Sequence, residues 1–356
     1  MSTESEIERI EEEIQKTPYH KATQAHIGRL KAKLAKLRSS LDKQSGKSYG
    51  PGFAVKKTGD ATVLLVGFPS VGKSTLINSL TNAESKTGDY DFTTLDVIPG
   101  MLEYRGARIQ VLDIPGMIAD ASRGKGRGRQ ILSVVRSADL IIILIDSEGQ
   151  LGTIERELYG AGFRLNQKPP DVRIVKKETG GLNINIAVKK PKLDRETVKD
   201  VLNEFRVHNA DVIIRENITP DQLIDSLIKN IVYVPSVVVF NKIDKMDGIG
   251  FRKTGREIIL ISALKNRNLE ALKEEIWKKL DLVRIYLKPV GKEPDMREPL
   301  IMKKGCTVMD VAGKILRAHS KGLKYARIWG ASAKFPGKKV GPAHRLSDGD
   351  VVELHA

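Results

Sequence analysis

The sequence predicts an α/β protein built on a doubly wound sheet, with an inserted α+β subdomain, an N-terminal helical region and a C-terminal unit of the β-grasp kind. Three observations predict it. Short runs of Val, Ile and Leu alternate with helix-like segments over 60–164 and again over 233–287, the rhythm of a parallel sheet covered on both faces. Between them, over 165–232, that rhythm breaks into strand-like stretches and two helices. After Lys288 and Pro289, short strands return around a single helix. The expected domains are 1–59 (helical hairpin and linker), 60–164 with 233–287 (the sheet domain), 165–232 (the insertion) and 288–356.

Each element follows from local pattern. Ile7, Ile10 and Ile14 recur at helical spacing, Thr17-Pro18 interrupts, and Leu30, Leu34, Leu37 and Leu41 form a second stripe with Lys and Arg between them. This is a helical hairpin with a basic second arm. Residues 46–59, rich in Gly, Lys and Ser, read as a linker. Strands are expected at 62–66, 108–112, 140–145, 235–240 and 257–261, with helices at 75–80 and 269–280. The insertion should hold strands at 172–175, 182–188 and 212–214 and helices at 196–205 and 220–229. In the last unit, strands at 300–302, 326–329 and 351–354 surround a helix at 308–318.

Composition narrows the class. At 356 residues the chain can hold two or three compact units, and the single cysteine, Cys306, excludes an internal disulfide. A reducing, cytoplasmic setting is expected. The first thirteen residues are acidic and carry no apolar stretch, unlike a signal peptide, and runs such as 140–145 are far too short to span a bilayer, so no membrane partner is expected. The net charge is +16, unevenly spread: +9 over 16–60 and +7 over 285–356, against only +5 over the long middle, 61–284. Basic ends flanking a near-neutral centre suggest contact with a polyanion. Aromatics in the C-terminal unit are few (Tyr325, Trp329, Phe335), so base stacking should contribute little and no DNA sequence specificity is expected.

Four clusters carry chemistry. Gly67-Phe68-Pro69-Ser70-Val71-Gly72-Lys73-Ser74-Thr75 follows one predicted strand and opens a helix, the context a phosphate loop requires. Its glycines let backbone N–H groups turn toward a β-phosphate, Lys73 reaches β- and γ-phosphate oxygens, and the Ser74 hydroxyl suits Mg²⁺. Asp113-Ile114-Pro115-Gly116 ends the next strand; Asp113 can hold a Mg²⁺-bound water, and the Gly116 N–H can sense a γ-phosphate. Asn241-Lys242-Ile243-Asp244 ends a third strand, where the Asp244 carboxylate can accept two hydrogen bonds from the guanine edge that adenine lacks. Ser262-Ala263-Leu264 ends a fourth and would bring a backbone N–H to guanine O6.

Together these point to GTP and GDP as ligands, Mg²⁺ as cofactor, and hydrolysis of GTP to GDP and phosphate. Between the first two clusters, residues 91–100 offer two adjacent threonines, Thr93 and Thr94, either of which could close over Mg²⁺ and the γ-phosphate. After Gly116 stands Met117, which cannot polarise water, so the attacking water must be handled by another group, a bound cation or a partner. The Gly/Arg/Lys run at 122–129 could supply cationic charge or be a solvated loop.

The stretches GFPSVGKST (67–75), DFTTLDVIPG (91–100), DIPGMI (113–118), GKGRGRQ (124–130), HNADV (208–212), KATQAHIGRLKAKLAKLR (21–38) and the closing LSDGDVVELHA resemble the Obg-like branch of translation-factor-type GTPases. More narrowly, they resemble the developmentally regulated GTP-binding proteins, in an archaeal-type member. The resemblance covers nearly the whole chain. It implies a P-loop GTPase domain, an inserted ribosomal-S5-like subdomain and a C-terminal TGS domain, in a family associated with ribosomes and translation. The basic ends make ribosomal RNA or ribosomal proteins the expected partners; the alternative is a GTP-gated binding module whose partner is a protein regulator. It gives the γ-phosphate and metal-sensing role to Thr94, beside Lys73 and Gly116. Two positions depart from the pattern. Relatives that use K⁺ in place of the missing glutamine usually carry Asn where Ser70 stands, and Leu264 stands where Lys is common.

Overall fold

The computed structural model describes residues 3–18, 20–21, 23–44, 59–81, 98–113, 138–228, 231–245, 257–316 and 322–355. It divides into two compact units, one of residues 1–52 with 162–233, the other of 53–161 with 234–356.

The second unit contains the large sheet. Its strands are β1 (Ala61–Val66), β2 (Ile98–Tyr104), β3 (Ala107–Asp113), β4 (Leu140–Ile145), β10 (Ser236–Phe240) and β11 (Ile258–Leu260), in the order β11-β10-β4-β1-β3-β2. Five run parallel; β2 pairs antiparallel with β3 through a tight hairpin, so the sheet is mixed at this edge rather than wholly parallel. β1, β4 and β10 are almost wholly apolar because both faces are covered. Val63, Leu65, Leu140, Ile142 and Leu144 pack against helices α3 (Lys73–Leu80) and α7 (Leu269–Lys279). The alternate residues Leu64, Ile141 and Ile143 are equally buried, and helix α4 (Glu148–Gly160) lies against β4, burying Ile154 and Leu158.

The C-terminal sheet belongs to the same unit, with the order β13-β12-β16-β14-β15. Its strands are β12 (Leu282–Leu287), β13 (Asp295–Lys303), β14 (Tyr325–Trp329), β15 (Lys338–Val340) and β16 (Asp350–His355), packed on helix α8 (Val308–Leu316). Here the expected boundary at 287/288 moves. Residues 282–287 form the strand that pairs with both β13 and β16, so the C-terminal sheet begins directly after α7. Leu282 and Ile301 also enter the core of the large sheet.

The first unit joins two helices to the insertion. Strands β6 (Val172–Lys176), β7 (Leu182–Ile186) and β8 (Ala210–Ile214) form a sheet in the order β6-β8-β7, covered on one face by α5 (Arg195–Glu204) and α6 (Pro220–Leu227). Asp194 caps α5 by accepting from Thr197 N at 2.7 Å. Thr219 and Gln222 form a reciprocal capping box on α6, with Pro220 in its first turn. Strands β5 (Phe163–Leu165) and β9 (Val232–Val234) pair where the chain enters and leaves the insertion.

Helices α1 (Thr3–Lys16) and α2 (Gln24–Gln44) form the expected hairpin, and α2 packs on α5 and α6, placing Ala32 in their core. The basic arm is thereby neutralised. Arg29 pairs with Asp200, Lys31 with Asp221, Lys33 with Glu6, Lys36 with Glu204 and Arg38 with Glu11, at 2.6–3.6 Å. Every basic residue from 29 to 38 thus has a carboxylate partner, and the charge that suggested a free polyanion surface on this helix is engaged within the unit.

Candidate nucleotide-binding site

Because β1, β3, β4, β10 and β11 are parallel, the loops that follow them open on one edge of the sheet. That edge is where ligands bind in doubly wound folds, beside the point at which strand order reverses. β1 lies between β3 and β4, and the 67–75 loop leaves from its end. Asp113, Asp146, Asn241 and Ser262 leave from the ends of the others.

The loop is shaped by its glycines. A Cβ on Gly67 would lie 2.5 Å from the Leu144 carbonyl oxygen. Gly72 sits at φ +96°, and a Cβ there would stand 2.6 Å from Asn241 Nδ2. Only glycine fits both places. The Lys73 ammonium donates to the carbonyl oxygens of Gly67 and Phe68, both at 3.1 Å, which holds its charge at the loop. Val71 is buried beneath the loop, Pro69 and Ser70 lie at its surface, and Ser74 and Thr75 open α3.

Side chains from the guanine-type motif tie this loop to its neighbours. Asn241, buried, donates to the Val71 carbonyl at 2.9 Å and accepts from Ala263 N at 3.0 Å, so one amide links the ends of β1, β10 and β11. Ser79 of α3 donates to the Ala263 carbonyl at 2.9 Å. Lys242, at φ +67°, donates to the Ser70 carbonyl at 2.7 Å and to Asp146 Oδ2 at 2.6 Å. Asp244 accepts from the Ser262 hydroxyl, and this bond is the main reason its carboxyl sits below the usual range. Leu264, which follows, is 69% exposed.

Sequence reasoning missed Asp146 and Gln150. Asp146 receives Lys242, while its own backbone N–H and Oδ1 are both engaged by the Gln150 amide at 3.0 and 2.8 Å. Burial pushes the Asp146 carboxyl up, but the bonds from Lys242 and Gln150 outweigh it and leave the group below its ordinary range. The available signal was an acid at the abrupt end of an all-apolar strand, LIIILID.

On the phosphate side, Asp113 is only 4% exposed. Burial raises its pKa, opposed by the charge of Lys73 and the Ser74 hydroxyl. Its Oδ2 is 3.5 Å from Ser74 Oγ, and its Oδ1 is buried without a hydrogen-bond partner among the described residues. A buried carboxylate oxygen left without a partner beside a hydroxyl suits a hard, oxygen-seeking cation. Thr94, Ile114, Pro115, Gly116, Met117 and the 122–129 run lie outside the described residues.

Comparison with known proteins shows the family and the domains. Residues 62–177 match the family described as 50S ribosome-binding GTPase, 179–282 the C-terminal region of the same domain family, and 283–356 the TGS domain. The chain is 54% identical to a GTP-binding protein of Methanocaldococcus jannaschii, over 99% of this chain and 93% of that one. It is 45% identical to developmentally-regulated G-protein 3 of Arabidopsis thaliana, over 98% and 97% of the two chains. It is 42% identical to developmentally-regulated GTP-binding protein 2 of Homo sapiens, over 98% of each.

Proposed function

The chain belongs to the developmentally regulated GTP-binding proteins and is a GTPase; from that premise we propose that it is a Mg²⁺-dependent switch acting on ribosomes in translation. The observation that carries the nucleotide reading is the single Asn241 amide joining the phosphate loop to the guanine-side loops. A site braced in this way before ligand arrives loses little order on binding, which favours tight, selective capture.

The roles divide by chemistry. Backbone N–H groups of 67–75 and the Lys73 ammonium bind the phosphates, with Lys73 exchanging its carbonyl partners for phosphate oxygens. Asp244, kept ionised by Ser262, reads the guanine edge, while Ala263 N and Leu264 border the base. Ser74 and Thr94 would hold Mg²⁺, and Asp113 would take a metal-bound water. When bound, Mg²⁺ neutralises charge on the β- and γ-phosphates. Thr94 and the Gly116 N–H sense the γ-phosphate and let their segments relax once it leaves. Met117 offers no hydrogen bond to water, so intrinsic turnover is slow. K⁺ is the candidate substitute, with Ser70 at the position where K⁺-using relatives carry Asn.

The ribosomal reading rests on charge. In the TGS domain, Lys324, Arg327, Lys334, Lys338, Lys339 and Arg345 form no ion pair among the described residues. Arg327 stands opposite Lys339 on one side and Glu353 on the other, and Lys339 lies over the Tyr325 ring at 3.9 Å, so the surplus positive charge is carried mainly by Lys324, Lys334, Lys338 and Arg345. Structured ribosomal RNA offers phosphates to such a surface.

Nucleotide competition tests the proposal. Asp244→Asn should weaken GTP binding at least about tenfold and shift preference toward xanthosine triphosphate, since the amide donates where the carboxylate accepted. Equal wild-type affinity for GTP and ATP contradicts the site assignment. Turnover in KCl and NaCl at equal ionic strength should differ if K⁺ takes part. Ribosome co-sedimentation with a non-hydrolysable GTP analogue, against GDP, tests the translation role.

A further inference from the structure

We propose that the loop between β7 and α5, residues 187–194, is an RNA-phosphate-binding loop of the first unit, a refinement that rests on the ribosomal reading above. It carries Lys189, Lys190 and Lys192 around Pro191, with Arg195 opening the next helix, and all four cations are exposed. None has a carboxylate partner among the described residues. The contrast with α2 is direct. The carboxylates of Asp200, Glu204 and Asp221, on the two helices of the insertion, are taken by Arg29, Lys36 and Lys31. The hairpin thus engages three acids of the insertion, while the cations of this loop have no carboxylate partner among the described residues.

The loop backbone is held in place. Ala187 N donates to the Ile214 carbonyl at 2.8 Å. The Asn217 side chain accepts from Lys192 N at 2.8 Å and donates to the Lys190 carbonyl at 3.4 Å. Gln24, itself buried, donates to the Lys192 carbonyl at 2.6 Å. Leu193 is anchored in the core beside Val198 and Val201, and Asp194 is occupied in capping α5. These bonds fix the backbone from which the three lysines project. Three lysines on a fixed backbone repel one another, and a row of phosphates relieves that repulsion with little ordering cost. The side chains carry no aromatic group, so recognition is of the phosphate backbone and not of base sequence.

Filter binding of the full chain to purified ribosomal RNA, over a salt series from 50 to 300 mM KCl, tests this; poly-glutamate serves as the acidic-protein probe. Lys189→Ala/Lys190→Ala/Lys192→Ala should reduce the slope of log affinity against log salt by roughly 2 to 3, close to one phosphate contact per lysine. Affinity at 100 mM should fall by more than tenfold, with GTP binding unchanged. Arg29→Ala/Lys33→Ala, which removes cations already paired, should keep the wild-type slope. A triple variant with wild-type slope and affinity overturns the loop assignment alone. Wild-type protein that binds no ribosomal RNA overturns both this proposal and the ribosomal reading. If the triple variant keeps RNA binding and loses poly-glutamate binding, the loop docks an acidic protein and the RNA assignment falls.

Discussion

Asp113 shows how a single residue can be costly to the fold and useful to the ligand. Its carboxyl is buried, lacks a partner for Oδ1 among the described residues, and titrates above the ordinary range because burial outweighs Lys73 and Ser74. In the nucleotide-free protein the folded state therefore holds a proton at pH values where the unfolded chain has lost it. Folding stability must then fall as pH rises from the unfolded aspartate pKa toward the raised folded value. Asp113→Asn has no such titration. In nucleotide-free, Mg²⁺-free solution the variant should melt higher than wild type at pH 7, with the difference shrinking as pH drops below about 4. The same variant should bind GTP with a weaker Mg²⁺ dependence. A melting difference constant across pH would mean that folding does not raise the Asp113 pKa.

At the scale of elements, the site is braced where strand ends meet, and the insertion is braced by a buried pair. Arg164 of β5 donates to both carboxylate oxygens of Asp225 on α6, at 2.6 and 2.7 Å, with side chains 7% and 4% exposed. Arg164→Ala leaves Asp225 buried and uncompensated, and should destabilise the first unit by about 3–5 kcal/mol by chemical denaturation. Replacing both residues with apolar ones of similar size should cost far less. The Asp146–Lys242 pair works differently, because both groups are partly exposed and Lys242 also donates to the Ser70 carbonyl of the loop. Asp146→Ala should barely change stability but raise the dissociation constants of GTP and GDP alike, several-fold each, since the brace lies beneath the loop whichever nucleotide is bound. A selective loss of GTP affinity would place Asp146 in γ-phosphate sensing instead.

For the whole molecule, the two units assign the terminal helices a structural duty. Deleting 1–45 removes Ala32 from the core shared with Val198, Val201 and Leu223 and frees the carboxylates of Asp200, Glu204 and Asp221. GTP binding should survive, because the nucleotide loops lie in the other unit. Hydrogen exchange in 172–227 should accelerate, and the truncated chain should expose apolar surface to a reporter dye. Unchanged exchange there would mean that the helices are dispensable to the insertion. A C-terminal cut at 288 leaves β12 without β13 and β16, and a cut before Leu282 removes both Leu282 and Ile301 from the core of the large sheet, so either truncation should lower the stability of the second unit.

Much of this was legible along the chain. Strands buried on both faces must be apolar throughout, so β1, β4 and β10 stand out as runs, and the motifs that end them are local spacings that survive any tertiary detail. The helices of the insertion announce themselves by caps at Asp194 and Thr219. Other features were not legible. β2, with Pro99 and Gly100 inside it, and the three-residue β15 are edge strands, whose pairing is chosen by a neighbour more than by their own residues. Helix α4 and the strand nature of 282–287 were likewise decided by what they pack against. Net charge could be summed from the chain, but free charge could not. The acids that engage Lys31 and Lys36 lie 190 and 168 residues away, and the Asn241 amide meets Val71 across 170. Local spacing settles which chemistry a residue offers; only the fold settles which partner consumes that chemistry and which cations remain to meet another molecule.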